Sequence, residues 1–175
     1  MVTARAVRCG SMFLTLSDAR GALFQPNAWL LAALLGLCVA IAAIDWRRQI
    51  IPNACNASVA CLGLVYASSG GMEGVLWSAL QGAIAFGLFW LVRRIYRAIR
   101  PVHGLGLGDV KFLGAAGTWI GLEGIAPMIL VACISALVFV GITMLRGQKP
   151  SARHPIPFGP FLALGLIVVL GFSPD

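Results

Sequence analysis

Two aspartates stand out in this sequence because nearly everything around them is apolar. Asp45 occurs in the stretch VAIAAIDWRRQIIPN and Asp109 in the stretch HGLGLGDVKFLG, each at the end of a hydrophobic run. Ionisable side chains at such positions are costly, and in membrane proteins they usually serve a function. The other acidic residues lie in a polar tail, in short turns or at the C-terminus: Asp18, Glu73, Glu123 and Asp175. Asp45 and Asp109 are therefore the candidates for chemistry.

Two neighbouring carboxylates in a site of low dielectric cannot both ionise, so they share a proton. One can then act as a general base that activates water, and the other as a general acid that polarises a carbonyl group. Such a dyad hydrolyses a peptide bond without a metal or another cofactor. A zinc site is not expected, because the five cysteines form no CxxC pair and no histidine lies at ligand spacing.

The composition indicates a membrane protein. Of the 175 residues, 59% are hydrophobic and 11% are charged, whereas a soluble domain has about 25% charged residues. A polar, Arg-bearing tail at 1–27 precedes the membrane domain at 28–172. Six apolar segments, each near the ~20 residues that span a bilayer, predict an all-α bundle of about six transmembrane helices: 28–45, 53–69, 73–92, 108–121, 124–145 and 157–172.

The basic residues predict the orientation of this bundle. The ten that follow the tail all fall in the first, third and fifth connections or just beyond them, and the second and fourth connections have none. Lys and Arg favour the cytoplasmic side, so Asp45 and Asp109 are both expected at the cytoplasmic face. The three tail arginines run against this rule. The net charge of +7 follows from the same pattern and does not favour nucleic-acid binding.

Each aspartate also has a simpler interpretation when it is taken alone. Asp109 could cap a helix, and Asp45 could pair with a neighbouring Arg47, Arg48 or Lys111. The glycines before Asp109 could indicate a nucleotide-binding loop, but no strand precedes them and no Walker lysine follows. They could instead let the backbone approach an extended substrate closely.

Three motifs resemble those of type IV prepilin peptidases, which are membrane aspartyl proteases. GLGLGDVKFLGAAGTWIG resembles the family's GxGD region, with the motif at 106–109. DWRRQIIPN, at 45–53, resembles the first aspartate motif, which ends in Pro and then Asn or Asp. IPFGPFLALG, at 156–165, resembles the C-terminal signature. The three occur in the family's order and span almost the whole hydrophobic chain.

The resemblance implies specific residues and a specific reaction. It implies a catalytic pair, Asp45 and Asp109, and a site at the cytoplasmic face of the bacterial inner membrane. This site would cut the basic leader from prepilins or pseudopilins. Lys111 could contact the dyad or a lipid headgroup. The residues that match the motifs around the pair are Gly106, Gly108, Lys111, Pro52 and Asn53.

Long members of that family carry paired CxxC motifs and also methylate the new N-terminus. The absence of a CxxC pair here predicts peptidase activity without N-methylation, as in the short enzymes of tight-adherence (Flp-type) pilus systems. The PFGPFLALG ending is more like the long members. A non-catalytic scaffold or assembly factor of a pilus or secretion system is the main alternative. A proton-coupled transporter is disfavoured, since the outer halves of the segments carry no ionisable residue beyond their turns. Presenilin-type proteins also use GxGD, but their Tyr-Asp and Pro-Ala-Leu motifs are missing.

Overall fold

The computed structural model describes residues 28–99, 106–147 and 157–172. These residues are almost entirely helical and contain no strand, which confirms the predicted all-α class. A short 3-10 turn, Ser68–Gly70, joins the second and third helices. The helices are α1 (Ala28–Arg48), α2 (Asn53–Ala67), α3 (Gly71–Ile99), α4 (Leu107–Leu145) and α5 (Gly159–Phe172). The tail predicted at 1–27 lies outside the described residues.

Three stretches are long and apolar enough to cross a membrane: Ala28–Arg48, Asn53–Ile99 and Leu107–Leu145. The helix α5 is apolar but shorter. The segments predicted at 108–121 and 124–145 belong to one helix, α4, which is interrupted by a non-helical residue, Gly121. The count of six transmembrane helices stays a prediction.

The interruption in α4 is stabilised by side chains of α3. Gly121 has φ 63° and ψ −177°, a conformation that is essentially restricted to glycine. In an unbroken helix the Leu122 N–H would donate to the Thr118 carbonyl. Here the Leu122 N–H donates to Gln81 Oε1 at 3.0 Å, and Ser78 Oγ donates to the Thr118 carbonyl at 2.7 Å. Both partners of the missing helical bond are therefore satisfied by α3.

The helix α4 is the centre of the bundle. It packs against α3, α5 and α2, and α1 packs against α5 and α2. Glycines let α3 and α4 approach closely: a β-carbon at Gly82 would lie 2.9 Å from the Gly114 carbonyl oxygen, and one at Gly117 would lie 3.1 Å from Ala85 Cβ. Small residues of this kind are typical of helix contacts in membranes. Of the two glycines in the GTWIG stretch, Gly117 serves this packing and Gly121 forms the kink.

The outer surface of the bundle is strongly apolar. Trp77 is 65% exposed, Val39 67% and Leu137 71%. A soluble monomer rarely exposes a large continuous apolar surface, whereas lipid solvates it. The exposed side chains therefore agree with helices that lie in a bilayer.

Candidate active site

Asp45 lies in the last turn of α1 and is only 5% exposed. Its Oδ2 accepts a hydrogen bond of 2.8 Å from the backbone N–H of Gly159, the first residue of α5. The first N–H groups of a helix have no partner within the helix and carry a partial positive charge. A β-carbon at Gly159 would lie 2.7 Å from Asp45 Oδ2. Only glycine therefore lets the start of α5 approach this carboxylate.

Asp109 lies in the first turn of α4. The residue that caps this helix is Gly106, with φ −64° and ψ 145°, so the simple interpretation of Asp109 as the N-cap is wrong by three positions. The Asp109 carboxylate instead reaches back and accepts a hydrogen bond from the Gly106 backbone N–H, as the third helical residue of a capping box does. A β-carbon at Gly106 would lie 2.9 Å from Asp109 Oδ2.

The structure brings the two aspartates together. Their carboxylates lie close enough to interact electrostatically, although they come from different helices. Each carboxylate accepts a hydrogen bond from the backbone N–H of a glycine at the start of a helix. The start of α5 therefore meets the end of α1, and Asp109 at the start of α4 lies within electrostatic range of Asp45.

Gly159 is a site residue that sequence reasoning missed. It lies in the PFGP stretch, which resembles the family's C-terminal signature but for which the sequence predicted no role at the site. A backbone N–H leaves no trace in residue type, so the partner of Asp45 could not be identified from the sequence. The available signal was a glycine followed by proline at the start of an apolar helix, since proline is common in a first turn.

The supporting motif residues form a second set of contacts beside the aspartates. Lys111 Nζ donates to Asn53 Oδ1 at 2.7 Å, a partner that was not among the two considered for this lysine. Pro52 is the N-cap residue of α2, and its carbonyl accepts N–H groups from Cys55 and Asn56 at 3.1 and 3.3 Å. Pro52 therefore precedes the helix, and Asn53 begins it.

Gly108 joins the GxGD turn to α2. Its carbonyl accepts a hydrogen bond of 3.3 Å from Asn56 Nδ2, and a β-carbon on Gly108 would lie 3.2 Å from Ile51 Cβ. Asn56 is 5% exposed, and its Oδ1 has no hydrogen-bond partner among the described residues. A buried acceptor without a partner is uncommon in a native protein.

A groove of about 400 Å³ lies between α2, α3 and α4, next to this set of contacts. Asn53, Asn56 and Lys111 form its polar end, and Thr118 lies further along α4. We call this feature the α2–α3–α4 groove. Its walls are mainly small residues: Ala57, Ala60, Ala79, Gly82, Ala83, Gly114 and Ala115.

The sequence matches the type IV leader peptidase family over residues 13–141, and the chain belongs to that family. The Prepilin leader peptidase/N-methyltransferase of Burkholderia pseudomallei (strain 1026b) is 35% identical over 156 residues, which cover 87% of this chain and 50% of that protein. Its namesake from Dickeya chrysanthemi is 35% identical over 159 residues, covering 86% and 56%. The Leader peptidase HopD of Escherichia coli is 30% identical over 141 residues, covering 78% and 89%.

The chain spans about half the length of the two prepilin leader peptidase/N-methyltransferases. No solved structure matches it. The apolar helices and the family together identify a membrane protein.

Proposed function

We propose that this protein is a membrane aspartyl endopeptidase that removes the basic leader from type IV prepilin or pseudopilin precursors. Asp45 and Asp109 are its catalytic pair. The proposal rests on two carboxylates from different helices that lie within electrostatic range of each other in an apolar bundle. Family membership and the similarity to the Leader peptidase HopD of Escherichia coli support the substrate class.

The reaction follows from two carboxylates that share one proton. The ionised carboxylate removes a proton from a water molecule, and the water oxygen attacks the scissile carbonyl carbon. The protonated carboxylate donates its hydrogen to the carbonyl oxygen, which gives a neutral tetrahedral intermediate. When the C–N bond breaks, the amine of the new N-terminus takes up the proton that the general base had removed from water. One hydroxyl of the intermediate returns a proton to the other carboxylate as the carboxylic acid product forms, so the dyad again holds one proton. Water is the only co-reactant.

The two glycine N–H groups position the carboxylates for this reaction. The bond from Gly159 to Asp45 Oδ2 and the bond from Gly106 to Asp109 each restrain the rotation of a carboxylate. Restraint of this kind matters because a misplacement of about 1 Å can lower a rate about 10²-fold. The glycines act as positioning residues, since they act through the aspartates and do not contact the substrate in this proposal.

We place the site at the cytoplasmic face of the inner membrane. Arg47 and Arg48 follow Asp45 in the last turn of α1, and basic residues at helix ends favour the cytoplasm. The expected cut lies between a basic leader and an apolar helix, so carboxylates at the membrane boundary are suitably placed for it. In this proposal residues 28–172 form the peptidase domain, and membrane lipid surrounds that domain.

We also propose that cleavage is not followed by N-methylation. The five cysteines include no CxxC pair, and paired CxxC motifs are what the long family members are expected to carry. Mass spectrometry of the processed precursor tests this proposal. A methyl group on the new N-terminal residue, in cells that lack another methyltransferase, would contradict it.

Cleavage in membranes tests the catalytic pair. A prepilin-like precursor is co-expressed with the wild-type protein, Asp45→Asn or Asp109→Asn, and processing is followed by the change in precursor mass. Asn keeps an oxygen that accepts the glycine N–H, so both variants should fold. Loss of the acid–base group should slow cleavage by about 10²–10⁴-fold. Glu123→Gln is a matched control, because Glu123 is an exposed acid beyond the kink.

Full processing by either aspartate variant would refute the dyad. A wild-type protein that inserts in the membrane but cleaves no precursor would instead favour a non-catalytic scaffold.

A further inference from the structure

The chain that leaves α1 and enters α2 is hydrogen-bonded to the backbone at both aspartates. We call residues 49–56 the connecting segment. At its start, the Gln49 N–H donates to the Asp45 carbonyl at 2.8 Å. At its end, Asn56 Nδ2 donates at 3.3 Å to the carbonyl of Gly108, the residue that immediately precedes the second aspartate. One short segment is therefore bonded to the backbone on both sides of the site.

The connecting segment also packs against the start of α4. Gln49 has φ 53°, a left-handed conformation that is uncommon for a residue other than glycine, and it ends α1 as a left-handed cap residue does. Ile51 follows and is only 6% exposed. A β-carbon on Gly108 would lie 3.2 Å from Ile51 Cβ, so the two residues are in close contact. Gly108 is thus held by an apolar contact from Ile51 and by a hydrogen bond from Asn56.

The stability of the fold does not explain why residue 56 is an asparagine. Gly108 lies inside α4, where a helical carbonyl already has a partner, the N–H four residues later. The Gly108 carbonyl therefore does not need the Asn56 amide. Asn56 Oδ1 is buried and has no partner among the described residues, a cost that an apolar side chain of similar volume would avoid. What an apolar side chain cannot supply is a directional bond to the turn that carries Asp109.

We propose that Asn56 is a positioning residue, whose bond to Gly108 holds the first turn of α4, and with it Asp109, at the distance from Asp45 that catalysis requires. The inference rests on the proposed peptidase function. Asn56 acts through the backbone and does not contact the substrate. Its role differs from that of the glycine N–H groups, which restrain the rotation of each carboxylate, because Asn56 fixes where the helix that carries the carboxylate begins.

Ser78 provides a matched comparison, because it also donates a hydrogen bond from a neighbouring helix to a carbonyl of α4. It is buried, and its Oγ donates to the Thr118 carbonyl at 2.7 Å. That carbonyl lacks its helical partner, since the Leu122 N–H donates to Gln81 instead. The Ser78 bond therefore satisfies a backbone group of the fold, whereas the Asn56 bond is added to a carbonyl that is already satisfied.

Substitutions of the two donors should have opposite effects. Asn56→Leu should lower kcat by about 10–10²-fold, with KM within about twofold of wild type and an unchanged or higher midpoint of unfolding in detergent. Asn56→Ala removes the same donor without the bulk of leucine, so it should also lower kcat. Ser78→Ala should lower the midpoint of unfolding and leave kcat per folded molecule within about threefold of wild type.

A wild-type kcat in both Asn56 variants would overturn the inference and leave the proposed function intact. A loss of kcat in Asn56→Leu alone would also overturn it, because bulk and not the missing bond would then be the cause. If Asn56 served structure alone, its variants would lower the midpoint of unfolding and keep the kcat of the folded fraction, as is expected for Ser78→Ala.

Spin labels measure the positioning without turnover. Arg47→Cys and Leu107→Cys place one label two residues from each aspartate, at exposed positions, in a chain without its native cysteines. Electron paramagnetic resonance then reports the distance between the labels. Asn56→Leu should shift or broaden this distance by about 1 Å or more, and Ser78→Ala should leave it unchanged.

An unchanged distance in Asn56→Leu would overturn the inference, whether or not a precursor is cleaved. A wild-type protein that cleaves no precursor would instead overturn the proposed function, and a role of Asn56 in cleavage with it.

Discussion

The chain leaves backbone groups without helical partners at two places in the bundle, and it satisfies them differently. At the kink in α4, neutral side chains of α3 do so: Gln81 accepts the Leu122 N–H and Ser78 donates to the Thr118 carbonyl. At the starts of α4 and α5, carboxylates accept the glycine N–H groups. Both arrangements hold helix ends in place within an apolar bundle.

The difference agrees with the proposed role of the aspartates beyond structure. A neutral amide or hydroxyl would satisfy a single N–H, as the kink demonstrates. A carboxylate adds the cost of moving a charge out of water, and two interacting carboxylates add mutual repulsion when both are ionised. A pair that is this costly to place is expected where its chemistry is used. Substitutions in the two regions should therefore have different consequences, with activity affected at one and stability at the other.

Gly159→Ala should have the largest effect. The added β-carbon would lie 2.7 Å from Asp45 Oδ2, closer than such atoms approach in proteins, so the carboxylate must move. We expect cleavage to slow by about 10²-fold, with the protein still present in the membrane at normal levels. Gly36→Ala is the matched control, because a β-carbon there meets no atom within 4 Å. Normal cleavage by Gly159→Ala would show that the position of this carboxylate is not critical.

Gly121→Ala should affect stability instead. The positive φ at the kink is unfavourable for alanine, and the new β-carbon would collide with Gln81 Oε1. We expect the free energy of unfolding in detergent to fall by about 2 kcal/mol, while kcat/KM per folded molecule stays within about threefold of wild type. A loss of activity as large as that of Gly159→Ala, in protein shown to be folded, would mean that the two ends of α4 are coupled.

The same two regions show what can be predicted from this sequence. Asp45 and Asp109 are evident because charges are rare in apolar runs, and a hydrophobic segment requires a helix in lipid. The kink was expected as a turn near Glu123, yet it lies at Gly121 inside one helix, because α3 side chains replace the missing backbone bond. Replacement of a backbone hydrogen bond by side chains of another helix depends on how the helices pack. It leaves no hydrophobic periodicity in the sequence by which it could be predicted.

The side-chain contacts across the site also could not be predicted from the sequence. Lys111 was expected to meet a carboxylate or a lipid headgroup, because its charge suggested an anionic partner. It binds the neutral amide oxygen of Asn53, from a motif 58 residues away in sequence. Composition and motif order identified which segments matter, and three-dimensional packing determined which atoms meet.

Gln81→Leu provides a smaller test of the kink. Leucine keeps a similar volume but leaves the Leu122 N–H without its acceptor. Since Leu122 is partly exposed, water can compensate in part, and we expect a loss of about 1 kcal/mol in the free energy of unfolding. Gln81→Glu retains the acceptor oxygen and should recover part of that loss in detergent. If leucine and glutamate destabilise the protein equally, the hydrogen bond to Leu122 does not stabilise the kink.

Lys111→Met should have the smallest effect on stability, and it tests whether the motif residues act together. Methionine keeps the aliphatic stem of lysine and removes the hydrogen bond to Asn53, which is exposed and therefore worth about 0.5 kcal/mol. Asn53→Ala should cause a similar loss, and the double variant should be no worse than the more destabilised single variant, as expected for two residues in one contact. Unfolding in detergent measures all three. Fully additive losses would mean that the contact of 2.7 Å between Lys111 and Asn53 contributes nothing to stability.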